Sequence, residues 1–311
     1  MEALCVLFEG ERRVVMQQLG LTEPGDDDVV VDVAWSGIST GTERLLWDGR
    51  MPVFPGFGYP LVPGYEAVGR IAAAGARTDR TVGETVFVPG ARCFGEVRGL
   101  FGASASRVVI PGARAIPIAA DLGESGILIA LAATAVHAIA GGQPPDLIVG
   151  HGVLGRLMAR ITLALGAAPP TVWETRPTRR SGAVGYSVAD PAEDSRCDYS
   201  SIYDASGDES GLDLLIGRLG RGGELVLAGF YAGPIRFAFA PAFMREARLR
   251  IAAEWQPHDL AQVLALLANR RLSFDGLITH CASAEGAVGA YQTAFNEPEC
   301  LKMILDWRGS A

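Results

Sequence analysis

The sequence predicts an α/β protein in two bodies, an all-β, barrel-like N-terminal region followed by a doubly wound parallel sheet. Three observations carry that prediction. Short apolar runs separated by Gly, Pro and Asp clusters come first, helix and strand patterns alternate beyond Pro117, and an apolar run at Leu147 opens into G-x-G-x-x-G. The first body is expected over residues 1–122 with a returning tail at 266–311, and the second over 123–265.

Taken in order, alternation and turn residues place strands at 3–8, 29–33, 67–72, 85–88 and 107–110. An apolar stretch at 124–140 reads as a helix. The strand at Leu147 leads through the glycines into a helix over 157–166, and strands follow at 171–173, 202–205, 224–228 and 249–252. Apolar residues at Leu260, Val263, Leu264 and Leu267 mark a helix near Asp259, and 301–306 closes the chain as a strand.

The glycine motif, Gly150-His151-Gly152-Val153-Leu154-Gly155, has a physical reason at each glycine. Gly150 makes the tight strand-to-helix turn, Gly152 lets a pyrophosphate approach, and Gly155 lets helix and sheet pack closely. The amides of the following helix, at Val153 and Leu154, point at phosphate oxygens. Glu174, nineteen residues beyond Gly155 at the tip of the next strand, stands where an acid bonds the ribose diol. The dinucleotide is therefore expected to be NAD, with Arg176, Arg179 and Arg180 near enough to soften the rejection of a 2′-phosphate. The nicotinamide end is expected near Thr134, Ala205 and Ser206.

Composition limits the partners. The 311 residues carry a net charge of −8, which disfavours a nucleic-acid backbone. The five cysteines, Cys5, Cys93, Cys197, Cys281 and Cys300, contain no C-x-x-C pair, so a reducing cytoplasm is expected. No signal peptide is read at the N-terminus. The uncharged run 125–143 reads as a buried helix, so no integral membrane segment is expected.

Further strings resemble the medium-chain dehydrogenase/reductase family. Gly37-Ile38-Ser39-Thr40-Gly41-Thr42-Glu43 is similar to its G-I-C-G-T-D, Gly64-Tyr65-Glu66 to its G-H-E, and Gly83-Glu84-Thr85-Val86 to its G-D-R-V. The closing segments 278–280 and 301–306 are similar as well. The resemblance implies a GroES-like β-barrel domain beside a Rossmann domain. It also places Thr40, Tyr65 and Ala130 at the three catalytic zinc-ligand positions, where none can serve as a ligand, and it leaves Cys93 alone in the structural-zinc segment. No metal is expected. His137, His151, His258 and His280 share no ligand spacing.

The longer strings 35–50 and 54–66 resemble a metal-free branch of that family acting on a tetrapyrrole. The branch implies NAD-dependent oxidation of a bacteriochlorophyllide 1-hydroxyethyl group to acetyl, within bacteriochlorophyll biosynthesis. A carbinol on a conjugated ring delocalises the positive charge that develops as hydride leaves, and a hydroxyl relay can then take the proton. Thr40, Thr42 and Tyr65 are the relay candidates, with His137 as a second proton shuttle. Their hydroxyls equally suit the satisfaction of barrel turns. Glu43 and Glu66 either order these hydroxyls or close an internal ion pair with an Arg, and the ion pair is favoured. Trp47, Met51, Phe54, Phe57 and Tyr59 form an aromatic loop that suits a flat ligand, ordinary loop packing or a subunit contact in a homodimer. The alternatives are a zinc-free NADPH-dependent quinone or enone reductase, and a non-catalytic dinucleotide-binding protein.

Overall fold

The computed structural model describes residues 1–52 and 56–310. The chain separates into two compact units, Met1–Ala130 with Phe274–Ala311, and Leu131–Ser273. Each junction falls eight residues later than expected, at 130 and 273 rather than 122 and 265. The turn before Leu128 packs on the first unit, where a Cβ on Gly126 would meet Val68 and Ile118. In the second unit the Arg271 guanidinium reaches the Ala164 carbonyl and Arg160 reaches that of Ser273, which keeps the segment after residue 268 attached.

In the first unit the chain forms β1 (Glu2–Gly10), β2 (Arg13–Gly20), β3 (Asp28–Ile38), a short helix α1 (Thr42–Trp47), β4 (Leu61–Val62) and β5 (Ala67–Ala74). It continues through β6 (Thr85–Val88), β7 (Arg98–Gly99), β8 (Arg107–Pro111) and β9 (Ile116–Pro117). The strand expectations hold, with β6 at the predicted bounds. The expected helix 124–140 instead begins as a 3-10 segment, Ala120–Leu128, kinked at Gly123, and becomes α-helical only as α2 (Ile129–Ala140). Its apolar side chains at Ile127, Leu128, Ile129, Ala132, Ala133 and Val136 are buried within the protein. By length and composition alone Ala120–Ala140 is apolar enough to cross a membrane, but 61% of its most apolar window is buried.

The second unit holds β10 (Leu147–Val149), α3 (Val153–Ala164), β11 (Thr171–Trp173), β12 (Ser187–Ala189), β13 (Tyr199–Asp204), α4 (Leu212–Arg218), β14 (Leu219–Leu227), α5 (Phe239–Met244), β15 (Arg248–Ile251) and α6 (Pro257–Ala268). Its sheet runs β12-β11-β10-β13-β14-β15, parallel throughout. Sheets of this kind are buried on both faces, so their strands read as continuous apolar runs, as 147–149 does. Trp173, Tyr199, Ile202, Leu212 and Leu225 fill the core on one face. The order reverses beside β10, and the carboxyl ends of strands at such a switch point form a ligand crevice.

The chain then returns to the first unit as β16 (His280–Ser283), α7 (Ala287–Asn296) and β17 (Met303–Asp306). β17 pairs antiparallel with β3, placing Met303 opposite Ile38 in a seven-stranded sheet ordered β16-β17-β3-β5-β6-β9, with β8 also on β3. A four-stranded sheet, β2-β1-β4-β7, accompanies it. Phe8, Tyr291 and Phe295 meet edge to face at 5.2 and 5.6 Å in the core, geometry worth about 0.5–1.5 kcal/mol per pair beyond area burial. Tyr291 thereby fixes α7 against β1 and brings its hydroxyl to Glu43.

Candidate active site

The first unit carries a polar cluster around the end of β3. The chain leaves the strand at Ile38, passes Ser39 and half-buried Thr40, and turns into α1 at Thr42. Ser39 and Tyr65 share a hydroxyl–hydroxyl hydrogen bond of 2.9 Å, and the Thr42 side chain also hydrogen-bonds Tyr65. Tyr65 stacks edge to face on Phe101 at 5.5 Å, which sets its ring plane. Burial, then the neighbouring Glu66 charge, pushes the Tyr65 phenol well above its ordinary range. It therefore acts as a donor and never rests as a phenolate near neutral pH.

Two buried carboxylates lie under these hydroxyls. Glu43 accepts the Ser39 amide at 3.3 Å and the Tyr291 hydroxyl at 2.7 Å. Burial, reinforced by Glu66 and opposed by the Tyr291 hydrogen bond and by Lys302, pushes it up to about 8. Glu66 pairs with the Lys302 ammonium, and burial raises its pKa while that ammonium opposes the rise. The partner is thus a lysine where an arginine was expected. A Cβ on Gly37 would collide with the Glu66 carboxylate, so glycine in this motif makes room for the ion pair. The second Glu66 oxygen, Oε1, is buried with no hydrogen-bond partner among the described residues.

Sequence reasoning missed Ser39, Lys302 and Tyr291. A signal existed for Lys302, because a lone lysine inside the apolar run 300–305 demands a buried carboxylate somewhere in the fold. Nothing local marks Tyr291.

The aromatic loop divides. Trp47 ends α1 and packs against Phe295 at 5.4 Å, and the Arg12 guanidinium lies 5.4 Å from its ring centroid. Phe57 and Tyr59 contact each other edge to face at 5.6 Å, and the Tyr59 hydroxyl bonds the Leu46 carbonyl. Met51 is buried. Phe54 lies outside the described residues.

In the second unit the glycine motif adopts the geometry expected of it. Gly150 turns with φ +96°, Gly152 caps α3 without a side chain in the way, and a Cβ on Gly155 would collide with the Gly150 carbonyl. Val153 and Leu154 form the first turn of α3. Glu174 is 8% exposed, and its two oxygens accept the amides of His151 at 3.2 Å and Arg176 at 2.8 Å. Asp204, at the tip of β13, accepts the Ser206 amide at 2.8 Å and hydroxyl at 2.6 Å and also the Tyr231 hydroxyl, which fixes the turn through Ala205 and Ser206. Burial raises the Asp204 pKa. Thr134 and His137 lie one turn apart on the half-exposed face of α2, and His137 Nδ1 lies 2.9 Å from Asp259, which also closes the capping box of α6. The imidazole is therefore already engaged in tying α2 to α6. The Arg179 carbonyl is held by His151 and Arg156, and the Arg180 guanidinium is held by Asp190 and the Glu174 carbonyl. The amide-lined turn, the open space over Gly152 and the acid at the next strand tip fit a dinucleotide.

A barrel-like body followed by a parallel sheet with this turn defines an alcohol-dehydrogenase type of protein, and residues 25–120 match the alcohol dehydrogenase GroES-like domain. The chain belongs to the medium-chain dehydrogenase/reductase family. It is 58% identical over 99% of both chains to the 2-desacetyl-2-hydroxyethyl bacteriochlorophyllide A dehydrogenase of Rhodobacter capsulatus. To the protein of the same name from Cereibacter sphaeroides it is 55% identical over 100% of both. Among solved structures, an Escherichia coli CFT073 alcohol dehydrogenase complexed with NADH superposes with a TM-score of 0.83 at 19% identity, covering 98% of this chain and 99% of that one, which shows the fold.

Proposed function

We infer that this protein is an NAD-dependent alcohol dehydrogenase that oxidises the 1-hydroxyethyl group of a bacteriochlorophyllide to acetyl without a metal. The observation that carries the substrate is full-length similarity, above half identity, to two enzymes bearing that name. The carbinol carbon loses a hydride and its hydroxyl loses a proton. Bound NAD supplies the hydride acceptor. Residues of this chain hold and move the proton: a hydroxyl both donates and accepts, so Thr42, Tyr65 and Ser39 pass the carbinol proton along to solvent water, each giving up one proton for the one that it receives. Thr40 and His137 remain candidates for the same task. Glu174 favours NAD, since its carboxylate accepts ribose hydroxyls and repels a 2′-phosphate. Trp47, Phe57 and Tyr59 offer aromatic surface for the macrocycle.

The same reading places the protein in a reducing cytoplasm, supported by five free cysteines, with α2 as a core helix. A homodimer belongs to it too. Among the described residues the outer strand β15 pairs on one side only, and it leaves Ile251 75% exposed, an edge that a second copy can cover about a two-fold axis.

The test is turnover by purified protein of a hydroxyethyl bacteriochlorophyllide with NAD or NADP, following the pigment's absorption shift. Acetyl product with a higher kcat/KM for NAD is expected. Unchanged pigment, together with NADPH-driven reduction of a simple quinone, would overturn the reaction and leave the fold.

A further inference from the structure

His151 occupies the first variable position of the glycine motif, yet its side chain is fully buried and engaged on both nitrogens. Nδ1 lies 2.7 Å from the Arg179 carbonyl. A carbonyl only accepts, so Nδ1 carries the proton and Nε2 presents a lone pair to the Tyr186 hydroxyl at 2.8 Å. The two rings meet edge to face at 5.6 Å. Burial, with the nearby Arg156 charge, pulls the imidazole down to about 4, so it is neutral at working pH. Arg156 of α3 completes the linkage, donating to the His151 carbonyl at 3.0 Å and to the Arg179 and Ser181 carbonyls at 2.9 Å each.

These bonds join two segments that flank one carboxylate. The His151 amide holds one oxygen of Glu174 and the Arg176 amide holds the other, so the glycine turn and the segment after β11 both fix that carboxylate. The imidazole ties the first to the second a few residues further on.

We propose that His151 and Tyr186 form a latch that positions Glu174 for the adenosine ribose, making both of them positioning residues for cofactor affinity and for the choice of NAD over NADP. This rests on the cofactor reading above. Loosening the latch lets the Glu174 carboxylate wander from the ribose diol, which costs NAD binding and leaves the hydride and proton transfers intact. NADP, which gains nothing from the carboxylate, loses less.

The experiment compares wild type with Tyr186→Phe, His151→Gln and His151→Leu, measuring steady-state kinetics with NAD and NADP, binding of ADP-ribose, and melting temperature. A single hydrogen bond of ordinary strength predicts a rise in KM for NAD of about three- to tenfold in Tyr186→Phe, with kcat unchanged, an equal loss of ADP-ribose affinity and a smaller NAD/NADP preference. His151→Gln, which keeps a donor for the Arg179 carbonyl, is expected to lie closer to wild type than His151→Leu. Should His151→Leu fail to fold, Tyr186→Phe alone decides. Wild-type KM and ADP-ribose affinity in Tyr186→Phe overturn the latch alone. A wild-type protein that binds neither ADP-ribose nor NAD overturns the cofactor reading and the latch with it.

Discussion

Glu66 and Lys302 meet inside the first unit with their side chains 0% and 2% exposed, although 236 residues separate them in sequence. Taking both charges out of water costs several kcal/mol each, and their attraction only offsets that cost. Removing one partner is therefore far worse than removing both. Lys302→Met is expected to destabilise the protein by about 3–5 kcal/mol, and the Glu66→Leu/Lys302→Met double variant by clearly less. Urea unfolding of the wild type, both single variants and the double variant reads the difference. A loss in the double variant equal to the sum of the two single losses would show that the pair is not coupled.

Glu43 sets a pH dependence of opposite sign to that of an ordinary surface carboxylate. Its folded pKa lies above its usual 4.5, near 8, so the folded state holds the proton longer than the unfolded state does. The associated stability is complete below about 4.5 and disappears as pH rises through 8. His151 works in the other direction, since its folded value near 4 lies below the ordinary 6.5 and stability is lost as pH falls through that window. Melting temperatures across pH 5 to 9 should fall on the alkaline side, and Glu43→Gln, which keeps the contacts with Ser39 and Tyr291 but cannot ionise, should flatten that fall. An unflattened profile would assign the slope to Glu66 or another group.

What was legible in the sequence is what depends on neighbours along the chain. The strand 171–173, the glycine turn and Glu174 at the strand tip follow from local residue order: Gly150 takes a positive φ of +96° and a Cβ on Gly155 would meet the Gly150 carbonyl, five residues before it. The polar cluster was only half legible. Thr42 and Tyr65 stood out by resemblance, but the Ser39 partner lies 26 residues from Tyr65 and the Glu43–Tyr291 contact spans 248, distances that only the folded sheet closes. Short helices such as α1 escaped notice because six residues show too little period to read.

Zinc should play no part in turnover. Thr40 and Ala130 offer no strong donor at the positions where the family resemblance implies zinc ligands, and the Tyr65 hydroxyl is committed to Ser39. Among the described residues no three of His, Cys, Asp and Glu are grouped to hold an ion. Strong chelators are expected to leave pigment oxidation unchanged, and elemental analysis of untagged protein should find far less than one zinc per chain. One zinc per chain, lost together with activity on chelation, would mean that the ligands come from elsewhere in the fold.

The hydroxyl relay makes the sharpest demand on kinetics. Tyr65 cannot be the final base, because burial and the Glu66 charge hold its proton on, so in the proposed relay it donates along the chain and receives from Thr42. Thr42→Val removes the hydroxyl at nearly constant shape and should lower kcat by about 10²-fold with little change in the pigment KM, since a relaying group acts in the transition state. Tyr65→Phe keeps the contact with Phe101 but breaks the link to Ser39, and a similar fall in kcat is expected, with the melting temperature almost unchanged. Phe57→Ala, by contrast, removes aromatic surface from the loop and should chiefly raise the pigment KM. If Thr42→Val and Tyr65→Phe retain wild-type kcat, these hydroxyls only satisfy the turn after β3, and the proton leaves by a route that includes neither.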